Sequence, residues 1–183
     1  MASRKLSEID IKSIELESVR ESKNGFVKFT SPTIMKGRFK MTLPKLRAPF
    51  GLNKYDEKRS ISLEVTPEVE KFFEGVDQHL IQLAFDRRSE LFGKIADGWS
   101  KAVVESKYTS SLKFDKERRY APKIKVVIPD EVEMEENVKE IECVVDPVVW
   151  ISNRGFGLKM KLVFINYISC EAKANMPKGK CYL

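Results

Sequence analysis

The stretch CVVDPVVWISNRGFGLKMKLVFINYI, Cys143 to Ile168, decides the fold. Its first nine residues are rich in β-branched side chains. From Phe156 onward, apolar and polar positions alternate with the period of two that marks a half-buried strand. Phe156, Leu158, Met160, Leu162 and Phe164 are predicted to share the inner face, and Lys159 and Lys161 the outer one. Ser152-Asn153-Arg154-Gly155 between the two runs reads as a hairpin loop, with glycine where a left-handed residue is wanted. Loop length sets the register of such a pair. A four-residue loop pairs Ile151 with Phe156 and Val149 with Leu158, which puts Trp150 opposite Gly157 on the lysine face. A three-residue loop would bury Trp150 instead.

Strict alternation recurs upstream. Arg38 to Leu43 sets Phe39, Met41 and Leu43 against Arg38, Lys40 and Thr42; Ser60 to Val65 and Lys123 to Ile128 repeat the pattern, the latter with Ile124, Val126 and Ile128 inward. Asp10 to Val19 reads as a weaker first strand, its alternation broken near Lys12-Ser13, where a bulge fits. One long segment is helical. Thr66 is a good N-cap, Pro67 suits the first helical position, and Glu68 and Glu70 favour the positive helix start. Val69, Phe72, Phe73, Val76, Leu80, Leu83 and Ala84 follow at helical spacing, a stripe suited to capping a barrel end. A shorter helix is predicted around Trp99 to Ser106.

The order is therefore three strands, a helical insertion over about 66–106, and three more strands. An OB-fold places its helix between strands 3 and 4, so the expectation is a mainly β, OB-fold-like barrel of five to six strands in one domain over 8–170. Residues 1–7 and 174–183 are expected to be flexible termini.

Composition narrows the class. With 183 residues, 42% hydrophobic and 33% charged, the chain has the make-up of a globular protein with one core. No apolar run approaches the ~20 residues needed to cross a bilayer, so no membrane partner is expected. Cys143, Cys170 and Cys181 are odd in number and widely spaced, which points to an intracellular, reducing setting rather than a disulfide framework or zinc site. His79 falls among Phe72, Val76 and Leu83 on the helix stripe, and no phosphate-binding loop, metalloprotease motif, nucleophile elbow or dinucleotide fingerprint occurs. No enzyme activity, metal or cofactor is expected.

The net charge of +6 is unevenly spread. Lys36 to Arg59, Lys101 to Ile128 and Trp150 to Leu183 are each strongly basic, whereas acids collect in Ser60 to Ser100 and, above all, in Pro129 to Val149. Single strands are held by phosphate neutralisation together with base stacking on aromatic rings, and each basic block carries both kinds of residue. The first contributes Arg38, Lys40, Lys45, Arg47, Phe50 and Tyr55. The second contributes Phe114, Arg118, Arg119, Tyr120, Lys123 and Lys125, and the third Trp150, Arg154, Lys159 and Lys161. Lysines also alternate with apolar residues on ordinary half-exposed strands, and Phe50 or Tyr120 could plug a barrel end. The shared sign of the outward residues on three strands favours a binding groove.

Leu46-Arg47-Ala48-Pro49-Phe50-Gly51-Leu52, Phe92-Gly93-Lys94 and Ala121-Pro122-Lys123-Ile124-Lys125 resemble the single-stranded-DNA-binding proteins of large nucleocytoplasmic DNA viruses, a group similar to phage-type replication proteins with an OB-fold. The resemblance spans Thr33 to Ile168. It implies coating of exposed strands in DNA replication, recombination and repair, in the cytoplasm or nucleus of a host. Phage-type relatives typically end in an acidic tail, whereas this chain ends Lys178-Gly179-Lys180-Cys181-Tyr182-Leu183. The acidic loop at about 130–142 either takes over recruitment of replication proteins or is a plain solvated loop. A homo-oligomer, a virion or scaffold component whose basic face meets a partner or packaged genome, and an RNA-binding barrel stay open as alternatives.

Overall fold

Five strands organise the molecule, and their residues explain why. In the computed structural model, which describes residues 3–23, 25–56 and 58–171, these are β1 (Lys40–Arg47), β2 (Lys58–Glu64), β3 (Lys123–Ile128), β4 (Val138–Ile151) and β5 (Phe156–Cys170). Met41, Leu43 and Leu46 of β1 are buried, as are Ile61 and Leu63 of β2 and Ile124, Val126 and Ile128 of β3. Ile141, Cys143, Val145, Val149 and Ile151 of β4 join them, with Phe156, Met160 and Leu162 of β5. The alternation predicted for the first three strands therefore matches the core.

The pairings run in a circuit. β2 lies antiparallel to β3, β3 parallel to β5, β5 antiparallel to β4, and β4 antiparallel to β1; Arg47 opposite Glu64 joins β1 back to β2. Shorter strands extend this sheet to eleven among the described residues, and Ile14–Leu16, Pro32–Ile34 and Gly37–Arg38 form a separate three-stranded sheet. The strand count thus exceeds the predicted five to six.

The hairpin register agrees with the four-residue loop. Ile151 pairs with Phe156, Trp150 with Gly157 and Val149 with Leu158, and Ser152 N–H donates to Gly155 O at 2.8 Å. A Cβ on Gly155 would lie 2.4 Å from the Lys107 carbonyl, so only glycine fits there.

Three expectations are corrected. Phe164 is not inside with Leu162 but 61% exposed. The register of β5 against β4 shifts between Leu162–Val145 and Phe164–Val144, so Val163 is an extra residue and Phe164 changes face; a second shift at Asn166 restores the original phase from Tyr167. Asp10 to Val19 is not a strand of the main sheet: the Asp10 carboxylate accepts from Lys12 N–H and caps a 3-10 turn, Ile11–Ser13, leaving only Ile14–Leu16 extended. Without it, the helical insertion follows β2 and precedes β3, so within the circuit it falls between the second and third strands rather than the third and fourth. Ser3–Lys5, inside a terminus expected to be flexible, runs parallel to Lys40–Thr42; residues 1–2 and the predicted tail at 174–183 lie outside the described residues.

The insertion comprises α1 (Pro67–Asp86), α2 (Arg88–Phe92), a 3-10 turn at Lys94–Gly98 and α3 (Lys101–Ser106). Thr66 Oγ1 accepts from Val69 N–H at 3.4 Å, as its N-cap role requires. Val69, Phe73, Val76, Leu80 and Ala84 are buried in the same cluster as the strands, while Phe72 and Leu83 are half-buried against it. His79 Nε2 makes a 2.8 Å hydrogen bond with the Ile14 carbonyl, tying α1 to the small sheet. No helix among the described residues is long and apolar enough to cross a membrane.

Candidate nucleic-acid interface

β4 residues Glu142, Val144, Asp146, Val148 and Trp150 alternate with core positions and so belong to the outer face. Residues directly opposite in an antiparallel pair share a face. Lys159 lies opposite Val148 and Lys161 opposite Asp146, so both lysines point outward. Lys161 is also opposite Val127 of β3, which brings Lys125 alongside. Lys159 feels this crowding: partial desolvation lowers its ammonium pKa below the ordinary lysine value, and Lys161, Lys58 and Lys125 lower it further. Four cations from β2, β3 and β5 therefore share one surface. Lys58 was not among the predicted site residues; it lies two residues before the alternating run from Ser60, and only pairing of β2 with β3 reveals its place.

Aromatic rings flank this lysine surface. Lys123, opposite Glu64 on β2, has its Nζ 5.6 Å from the Phe50 ring centroid and 5.9 Å from that of Tyr120. Arg119 stands 5.9 Å from Tyr120, and Arg118 4.9 Å from Phe114. Phe50 is 72% and Tyr120 62% exposed, so neither plugs the core. Tyr55, also exposed, ends the Leu52–Tyr55 arm of a hairpin with β2. At the other end, the Trp150 indole covers Gly157: a Cβ there would lie 3.2 Å from indole Cζ2 and Nε1. Trp150 is half-buried, and exposed Arg154 sits in the adjoining loop.

Other predicted residues stand apart or are engaged. Arg38 lies in the three-stranded sheet, where its Nε and Nη2 donate to Glu17 Oε2 at 2.9 and 2.8 Å, holding the Glu17 carboxyl below its usual pKa. Arg47 is exposed with its Nη1 3.4 Å from Glu64. Lys40, the first residue of β1, pairs with Ser3 and lies one step beyond the Met41–Val145 pair, with β4 between it and Lys161 on β5. Lys45 Nζ sits 5.0 Å from the ring centroid of Tyr167, an aromatic that sequence reading missed.

The acidic segment docks beside the aromatic flank. Leu52 N–H donates to Glu136 O at 2.9 Å, Lys54 pairs with the Glu136 carboxylate, and Arg59 donates to the carbonyls of Pro129 and Val132. Gly51, at φ +62, permits the approach, because a Cβ would meet Glu136 O at 2.3 Å. The loop ends at Asn137, since β4 begins at Val138. Asp130, Glu131, Glu133 and Glu135 remain exposed.

Among the described residues, no group of three or more His, Cys, Asp or Glu side chains could hold a metal ion. Burial pushes the Cys143 thiol up to about 12. No protein-family model matches the chain, and comparison with curated proteins finds no similar sequence.

Proposed function

We propose that this protein binds single-stranded DNA with little regard to sequence, coating and protecting exposed strands in replication, recombination and repair. In this reading the strand circuit is an OB-like barrel that offers one outer face and its adjoining loops to the strand. The observation that carries it is the gathering of Lys58, Lys125, Lys159 and Lys161 on one surface, where burial lowers the pKa of Lys159 and the other three lysines lower it further. Mutually repelling cations contribute nothing to folding, and a polyanion relieves the repulsion. The rings of Phe50, Tyr120 and Trp150 beside them supply stacking surfaces that accept any base. The resemblance to viral single-strand-binding proteins points the same way.

Trp150→Ala tests the stacking end. Loss of a stacked base is expected to weaken binding of an oligothymidylate by about 1–3 kcal/mol. Because Trp150 faces outward and is only half-buried, its removal should cost less stability than the roughly 3–5 kcal/mol of a core aromatic truncation. Affinity and thermal unfolding of one variant decide the matter; a destabilised protein with intact affinity would sink the assignment.

The docked acidic segment gives a second test. Replacing Glu131, Glu133 and Glu135 by glutamine leaves the contacts of Glu136 and Pro129 in place and removes three exposed negative charges next to the aromatic flank. Tighter strand binding at low salt is expected, with the gain fading as salt screens the repulsion. Unchanged affinity at low salt would place the segment outside the path of the strand.

A further inference from the structure

Building on the strand-binding reading, we infer that the binding track continues along β5 beyond Lys161 onto Phe164 and Tyr167, a second stacking platform on the arm that β5 forms with β4. Gly157, Lys159, Lys161, Phe164 and Tyr167 lie opposite Trp150, Val148, Asp146, Val144 and Glu142, all of them outer-face positions. The spacing along β5 is two, two, three and three residues, against a constant two on β4. The extra residues are Val163 and Asn166, at the two register shifts that fall within this span. These bulges keep the aromatic positions in phase with the lysines, where simple alternation would have turned Phe164 inward.

The exposed surface has the chemistry of the first platform. Phe164 is 61% and Tyr167 42% exposed, and the Lys45 ammonium lies 5.0 Å from the Tyr167 ring centroid, as Lys123 lies near Phe50. Glu142, the acid opposite Tyr167, accepts a 3.3 Å hydrogen bond from Asn166 Nδ2. From Gly157 to Tyr167 the strand offers roughly 30 Å of track at about 3.3 Å per residue. Among the described residues, no strand pairs with β5 beyond Lys161 on the side away from β4. A second copy adding along that edge is disfavoured by the two bulges, which disrupt the ladder such pairing needs. A flexible strand of stacked bases needs no ladder.

The experiment is a fluorescence-anisotropy titration of wild type, F164A/Y167A and Y167F with oligothymidylates of about 5 and 15 nucleotides, near the two ends of single-barrel footprints. The double variant is expected to bind the short oligomer as wild type does and the long one about 10-fold or more weakly, with Y167F close to wild type on both. Equal affinity of the double variant and wild type for both oligomers, or equal loss on both, would overturn the extended track while leaving the strand-binding reading intact. Wild type binding neither oligomer would remove that reading, and this inference with it. Light scattering on the same samples adds a further check: a wild-type dimer that becomes monomeric in the double variant would assign the patch to self-association and overturn the inference. Both side chains are exposed, so the melting temperature should stay near that of wild type.

Discussion

Asp77→Ala is expected to destabilise the protein by about 3 kcal/mol, from the loss of several hydrogen bonds to one buried carboxylate. For a chain of this size that lowers Tm by roughly 6–12 °C. Asp77 is 5% exposed on the inner face of α1, and its carboxylate accepts from Tyr108 Oη and Ser110 Oγ at 2.7 Å, from Ser111 N–H at 2.9 Å and from Ser111 Oγ at 2.5 Å. Removing it strands these donors around an apolar methyl. The consequence reaches the candidate site, because the tethered segment holds two of its parts. Tyr108 stacks edge-on against Phe156, Thr109 pairs with Gly157 beneath Trp150, and the chain then leads to Phe114 and Tyr120. Asp77→Asn, which keeps one strong acceptor, should lie between. Thermal and urea unfolding of the three proteins check this; an alanine variant within about 0.5 kcal/mol of wild type, the range of ordinary surface changes, would contradict it.

The larger functional effect is expected from the lysines. Replacing Lys58, Lys125, Lys159 and Lys161 together by alanine should make the dependence of log K on log salt shallower by about 3, at roughly 0.7 for each phosphate of a single strand that is no longer neutralised. At low salt the affinity should fall steeply, while at high salt the variants converge, since screening has already weakened the same interactions. Folding should not suffer, because the substitution removes a partly desolvated ammonium at Lys159 and the repulsion from Lys161, Lys58 and Lys125 that adds to it. A binding curve and salt slope like those of wild type would show that these cations do not touch phosphate.

What could be read from the sequence was what nearest neighbours dictate. The loop Ser152 to Gly155 set the register of the hairpin, and so the outward placement of Trp150, because turn length and a required glycine are local properties. Thr66 and Pro67 likewise marked the start of α1. Effects decided at long range were hidden. Val163 carries no sign that it will be a bulge, so Phe164 was assigned to the wrong face. The register of β1 against β4 slips in the same way, with Leu43 and Leu46 opposite Cys143 and Ile141 around Pro44 and Lys45. Nothing near Asp77 in the sequence shows that residues 108–111 will supply donors to its carboxylate. Arg38 alternates with Phe39 like any outward residue, yet Glu17, 21 positions earlier, takes its guanidinium. Lys58 became part of the lysine group only once β2 and β3 were paired.

The account rests on one claim, that the lysine and aromatic face takes single-stranded DNA. A competition titration tests it most directly: protein held on a labelled oligothymidylate is challenged with unlabelled single strands of mixed sequence, duplex DNA and RNA across a range of salt. The account predicts displacement by single-stranded DNA at similar concentrations whatever its sequence, weaker displacement by duplex, and affinity falling steeply with salt. Equal displacement by duplex, preferential displacement by RNA, or an affinity indifferent to salt would contradict it.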